Sequence, residues 1–387
     1  MNSKNRLKKG TKSIIYLIAC CLHGKKADLS KISKMDIYNK SRLFSLAHRH
    51  TVGAMTAIAL ISSEDLKEIF PKEDIKKWES ILGAAVKRRV LFDMERERLL
   101  TLIEKRDIRC CPLKGVILQD LYPGYEMREM SDNDILFDET KRDDLKKLML
   151  GEGYRLEDHG VTNHDMYTKE PVYDFEFHTR LFMHTFSPRF TNYYDCIWSK
   201  LIKTPGKDKI YMMNDEDFYI YMTAHAYKHY NEGGTGLRSL TDAYIYNIKK
   251  ADTLDREYIH RECKKLRIAS FEKVMCSLSY KLFSDPDKVF ENIAALDDKE
   301  REMLSYISFT GSYCTKEDFI KSRIKRSGSK SIYILNRLIP DDNYYKEAHP
   351  FLYRNKIFIP PFLVYRAGKM LLTNRNNVVR ELHMLFR

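Results

Sequence analysis

In Ser131-Asp132-Asn133-Asp134-Ile135-Leu136-Phe137, residues 133–137 read as a short strand with two carboxylates, Asp132 and Asp134, at its start. Side chains two apart in a strand point the same way, so Asp132 and Asp134 would emerge together. Two like charges that close repel unless a cation lies between them. Oxygen-only ligands of this kind suit Mg2+ or Mn2+. Upstream, 108–113 is a short apolar run with the character of an edge strand. A short helix over 115–121 follows, and Pro123-Gly124 breaks it. Downstream, 141–150 is an amphipathic helix stopped by Gly151 and Gly153, and 154–156 and 172–177 are further strands. This β-α-β-α-β order predicts a mixed sheet with helices packed against it.

A third carboxylate comes from Asp174-Phe175-Glu176-Phe177-His178, where Asp174, Glu176 and His178 would share a strand face. Asp132, Asp134 and Glu176 together would hold two divalent ions. One would sit at an acceptor hydroxyl and the other at a triphosphate and its leaving group. Gly115 lies just before the short helix, and its lack of a side chain would let a phosphate approach free N–H groups there. Lys114 would add a point charge and Arg128 a planar fork that matches phosphate oxygens. With Ser131, these form the expected phosphate-binding set. Replacing Asp132 and Asp134 by asparagine is expected to cost little stability, because two repelling charges disappear.

The chain on either side reads as helical. In 78–105, Val86, Val90, Met94, Leu99 and Ile103 recur at helical spacing and predict the buried face. Helices are expected over 215–231, 237–250, 255–265, 268–283 and 297–309. The segment 311–330 reads as a connection rich in Gly, Ser, Lys and Arg, and the tail mixes basic residues with aromatics such as Tyr344 and Phe362. The expected organisation is an α+β chain. A helical region (1–106) precedes a small mixed-sheet core (107–200), a second helical region (201–310) packs on that core, and a basic, aromatic-rich segment follows (311–387).

Composition narrows the function. Of 387 residues 43% are hydrophobic, which excludes disorder throughout. No run of about 18 apolar residues exists, so no membrane span is expected. The eight cysteines include no C-x-x-C, and free thiols in a reducing cytoplasm are the expectation. The net charge of +13 is concentrated at the ends. Residues 1–26 carry seven Lys/Arg and no acid, and 321–387 carry fourteen against four. Basic ends suit a polyanionic partner or simply a solvated face. His225 and His229 share a helix face, and with His178 they suggest a zinc site only weakly, since the Glu beside the first His is missing. His225 is instead placed beside the site. Arg238 and Asp242, also four apart, would pair with each other or face the substrate cleft.

At these residues the chain resembles the uncharacterised nucleotidyltransferase family of the polymerase-β-like nucleotidyltransferase superfamily. The resemblance runs from Pro112-Leu113-Lys114-Gly115 through Leu121-Tyr122-Pro123, Arg128 and Met130-Ser131-Asp132-Asn133-Asp134-Ile135-Leu136. It continues at Gly153-Tyr154 and Glu176-Phe177-His178-Thr179-Arg180-Leu181. Further similarity lies in Thr223-Ala224-His225-Ala226, His229 and Leu237-Arg238-Ser239-Leu240-Thr241-Asp242-Ala243. It implies a nucleotidyltransferase core and Mg2+- or Mn2+-dependent transfer of an NMP from an NTP, ATP by default, with release of pyrophosphate. Asp132 and Asp134 would bind metal and Glu176 would favour deprotonation of the acceptor. That acceptor would be a protein, an RNA or a small molecule. The alternative is an inactive nucleotide- or nucleic-acid-binding module of the same fold. Lys114-Gly115 stands where the superfamily usually has Gly-Ser or Gly-Gly, and Asn133 replaces the usual apolar residue.

Overall fold

Two parallel strands, β2 (Asn133–Phe137) and β5 (Tyr173–His178), divide the interior by their alternation. Ile135, Phe137, Phe175 and Phe177 point to one side and Asp134, Leu136, Glu176 and His178 to the other. They sit inside a five-stranded sheet of order β1-β2-β5-β4-β3, with β1 (Cys110–Pro112), β3 (Arg155–Asp158) and β4 (His164–Lys169) all antiparallel to their neighbours. The computed structural model describes residues 7–32, 34–158, 163–183, 187–232, 234–312, 320, 324, 327–340, 345 and 349–373. Tyr344, most of the basic run between 313 and 326, and the residues after 373 lie outside these.

The helices are α1 (Thr11–Leu22), α2 (Lys40–Arg49), α3 (Gly53–Ile61), α4 (Lys72–Lys105), α5 (Gly115–Leu118) and α6 (Arg142–Gly151). After the sheet come α7 (Asp215–Glu232), α8 (Leu237–Lys249), α9 (Arg256–Lys265), α10 (Ala269–Phe283), α11 (Asp298–Thr310), α12 (Lys330–Leu338) and α13 (Ile359–Thr373). Shorter helical turns link them. The result is an α+β fold with helical flanks, as the sequence pattern implies. No helix among the described residues is long and apolar enough to cross a membrane.

The apolar side of the sheet packs on Leu99 and Ile103 of α4 and on Leu145, Leu148 and Met149 of α6. The other side meets a larger core that runs without interruption from α1 through α3 to α7, α8 and α10. The helices before and after the sheet therefore share one hydrophobic interior. Helix α1 is buried along nearly its whole length. Its apolar run is a core helix, with basic residues kept at its ends.

Two sequence expectations change. Strand β4 is absent from the sequence reading, because His164, Asp165 and Lys169 give it no apolar stripe. Its Asp165 is buried and held by Arg142 Nε and Nη2, at 2.8 and 2.7 Å. In α4, Leu99 and Ile103 are buried as expected, but Val86, Val90 and Met94 are exposed. The buried side carries Trp78 and Phe92 with Arg89 and Glu95. Those charges are tolerated inside because each is paired: Arg89 with Asp93 and Asp120, and Glu95 with Arg98 and the Tyr154 hydroxyl. A stripe read from apolar residues alone misses a face built from paired charges.

His50, fully buried at the end of α2, accepts the Leu237 amide on Nδ1 at 3.3 Å, and its Nε2 has no partner. Burial, with Lys8 and Arg49 nearby, holds its pKa down at about 3, so it folds neutral. The unfolded chain takes up that proton below about pH 6.5 and the native state does not, so stability falls as pH drops through this window. Relative to His50→Asn, the wild type should lose about 1.4 kcal/mol per pH unit between pH 6.5 and 4. Urea unfolding of both proteins at pH 7, 6 and 5 measures this; parallel pH profiles would refute it.

Candidate active site

The β2–β5 register sets Asp134 directly opposite Glu176 and Leu136 opposite His178. Residue 134 thus gains a carboxylate neighbour from the adjacent strand, with Asp132 at the mouth of its own strand. On the other side of β2, the Leu113 amide donates to the Asp134 carbonyl at 2.9 Å. The chain then turns at Lys114 with φ +44°, a left-handed backbone that favours glycine. This turn brings Lys114 Nζ to Asp134 Oδ1 at 2.7 Å. His178 Nε2 reaches the same oxygen at 2.7 Å and lies 3.5 Å from Glu176 Oε2.

These contacts set the charges. Burial works against an ionised Asp134, but Lys114 and the His178 hydrogen bond outweigh it and hold the carboxyl below its ordinary range. Asp132 has no such counter-ion. Burial and then the Asp134 charge push it up to about 6. Asp174, also on β5, is raised to about 6 by burial and then by Asp132, and its Oδ1 is buried without a partner. Asp134 Oδ2 likewise has none among the described residues. Asp132, Asp134 and Glu176 bring to one cavity carboxylate oxygens of the kind a hard divalent cation takes, and His178 already bonds one Asp134 oxygen.

A cavity of about 290 Å3 opens over this cluster. Asp132, Asp134, Glu176, Lys114 and Gly115 line it. So do Arg128, Asp242, Arg238, His225 and His229. His178 is outside the wall, buried behind Asp134, and Ser131 lines a neighbouring cavity while donating to Asp132 Oδ2 at 3.2 Å.

Several residues hold partners that the sequence reading did not foresee. Arg128 is not an open fork. It is buried and bonds Asp242 in bidentate fashion at 2.7 and 2.9 Å, and the Tyr122 hydroxyl donates to the same carboxylate at 2.7 Å. Asp242 therefore does not pair along the helix with Arg238, whose Nη1 instead donates to the Glu129 carbonyl at 3.0 Å. Gly115 leaves room for that pair, since a Cβ there would stand 2.6 Å from Arg128 Nη1. The amides of Val116 and Ile117 bond Leu113 and Lys114 carbonyls. An anion at the start of α5 would thus meet the Lys114 side chain more readily than a ring of free amides. Asn133 is buried, and its Oδ1 accepts from Arg96 of α4 at 3.0 Å.

His225 and His229 contact each other, Nε2 to Nε2, at 3.0 Å. The metal-capable group that the fold gathers among the described residues is instead His164, Glu176 and His178, within 4.8 Å of one another. His164 is the site residue that sequence reasoning missed. The sequence carried no signal for it, because His164-Asp165-Met166-Tyr167 does not alternate polar with apolar residues.

Residues 38–284 match the family model described as uncharacterised nucleotidyltransferase, and the chain belongs to that family. No curated protein and no solved structure matches it.

Four stability results follow from these contacts. Asp132→Asn should change unfolding free energy by less than about 1 kcal/mol, since it removes a repelling charge. Asp134→Asn should cost about 2 kcal/mol by leaving Lys114 and His178 without their acceptor. This revises the expectation that both substitutions are nearly free. Asp242→Asn, which strips a buried guanidinium of its partner, should cost about 3–5 kcal/mol. Lys114→Gly should exceed Lys114→Ala in stability by about 1 kcal/mol, because only glycine relieves the positive φ. Chemical denaturation of the five proteins against wild type measures the order; Asp132→Asn as the most damaging change would contradict it.

Proposed function

We propose that the protein transfers an NMP from an NTP to an acceptor, releasing pyrophosphate, at the Asp132, Asp134 and Glu176 cluster. The observation that carries this reading is the β2–β5 register. It holds Asp134 and Glu176 side by side beneath a cavity that Lys114 and Arg238 also line. Membership of the family supports nucleotidyl transfer in general and a nucleotide substrate.

In this reading Asp132, Asp134 and Glu176 hold Mg2+ or Mn2+, which supplies Lewis-acid stabilisation of charge on the phosphates. Lys114 and Arg238 contact phosphate oxygens. Arg128 acts through Asp242, fixing α8 and so Arg238 against the core. His178 orients Asp134 and Glu176 from behind. The acceptor oxygen bonds the α-phosphorus and its proton leaves toward Glu176. The bond to the bridging oxygen breaks, and pyrophosphate departs with that electron pair. ATP is the default donor, and the cytoplasm the expected compartment.

One observation favours a second reading. Lys114 and His178 already neutralise Asp134, which also suits a nucleotide-binding module that performs no transfer. Titration calorimetry of the four NTPs with Mg2+ or Mn2+, followed by a pyrophosphate-release assay with protein, RNA and small-molecule acceptor pools, separates the two. Transfer predicts metal-dependent binding of an NTP, and release that falls at least about a thousandfold in Asp132→Asn and Asp134→Asn. Binding without release under any acceptor pool would favour the module, and release unchanged in both variants would refute the proposed site.

A further inference from the structure

Beside the carboxylate cavity lies a second, of about 320 Å3. Phe44 of α2 and Ile81, Ala84, Ala85 and Phe92 of α4 give it apolar walls with a small-residue floor. Arg128, Met130 and Arg238 belong to both cavities, and Ser131, which lines the second, is the neighbour of Asp132 in the first. The two spaces therefore meet at the mouth of β2.

The charges in this second cavity are unbalanced. Arg89 and Arg128 are committed to Asp93, Asp120 and Asp242. Arg88 and Arg238 are not. Arg88 lies over the Phe92 ring at 5.1 Å, and its Nη1 donates only to the Met130 and Ser131 carbonyls, at 3.2 and 3.4 Å. Arg238 donates to the Glu129 carbonyl alone. Neither forms an ion pair with a carboxylate among the described residues. Their charges act on Asp174 for Arg88 and on Asp132 for Arg238. The cavity's own acid, Glu129, is engaged by the Ala54 amide at 3.1 Å. A guanidinium held by backbone carbonyls and backed by an aromatic ring keeps its charge and its planar donors turned to a ligand.

Resting on the transfer reading above, we propose that this second cavity is the acceptor subsite. Its ligand is a small molecule with an apolar, ring-shaped body and one anionic group, which Arg88 binds. Transfer at phosphorus needs the nucleophile and the leaving group on opposite sides. With the phosphates beside Lys114 in the first cavity, the acceptor must come from a neighbouring space that reaches Asp132. The second cavity reaches it through Ser131. Its volume suits a molecule of one or two rings, and its lining combines apolar surface with the fixed cation of Arg88, the pattern of a small-molecule site.

The test titrates 1-naphthyl phosphate, 1-naphthoate and neutral 1-naphthol into the full chain, with and without saturating α,β-methylene ATP and Mg2+, while circular dichroism verifies the fold of each variant. The proposal expects at least one anionic probe to bind about tenfold more tightly than 1-naphthol, the phosphate and carboxylate arms showing which anion is preferred. Arg88→Gln should weaken that probe about tenfold and leave 1-naphthol unchanged. Ala85→Phe, which fills the floor, should abolish binding of all three probes while nucleotide still binds. Nucleotide and probe should bind together. Displacement of the probe by the nucleotide would overturn the proposal by making the space part of the nucleotide site. Retained probe affinity in both variants, or no probe binding to wild type, would also overturn it. If the probes behave as expected but no nucleotide binds, the transfer reading fails while the ligand class of this cavity is supported.

Discussion

A buried carboxylate next to another carboxylate is the constraint on which the rest of this structure depends. Asp134 lies inside a sheet, opposite Glu176 and two residues from Asp132. Removing one such charge from water costs several kcal/mol before repulsion is counted. The fold meets this with two donors on one oxygen, Lys114 and His178. Both are fixed by backbone geometry: Lys114 by a positive-φ turn leaving β1, and His178 by its place two residues after Glu176 on β5. The pairing still leaves Asp132 and Asp174 raised toward neutrality and two oxygens without partners. That residue of negative charge is the physical basis for expecting a divalent cation.

The helical flanks complete the site. Because α1, α3, α7, α8 and α10 share one core, the helices that wall the cavity are positioned by the whole interior. A single buried clamp, Arg128 with Asp242 and Tyr122, joins the segment before β2 to α8. It converts a mobile polar fork into a structural pin and leaves Arg238 and Lys114 as the cations that face the cavity. The same arrangement creates the second cavity, since α4 and α2 approach the Arg128–Ser131 segment without filling the space beside it.

Much of this was legible in the sequence. The strand of Ile135, Leu136 and Phe137 is announced by apolar continuity, and the helices after residue 214 fall close to the ranges expected for them. The carboxylates Asp132, Asp134 and Glu176 are announced by their two-residue spacing in strands. What was not legible depended on pairing across the chain. β4 hides because its buried Asp165 is neutralised by Arg142, a residue 23 positions away. The buried face of α4 hides because Arg89 and Glu95 replace apolar residues there. The roles of Arg128 and Asp242 hide because their partners lie 114 residues apart, where no local period reaches. His164 becomes a site residue only once β4 is set beside β5.

The most direct measurement is a crystal structure of the protein soaked with Mn2+ and α,β-methylene ATP, with anomalous data collected at the manganese edge. The account predicts anomalous density among Asp132, Asp134 and Glu176, phosphate oxygens against it, and Lys114 drawn from Asp134 toward the phosphates. Nucleotide bound elsewhere, or no manganese at these carboxylates with Lys114 still seated on Asp134, would contradict it.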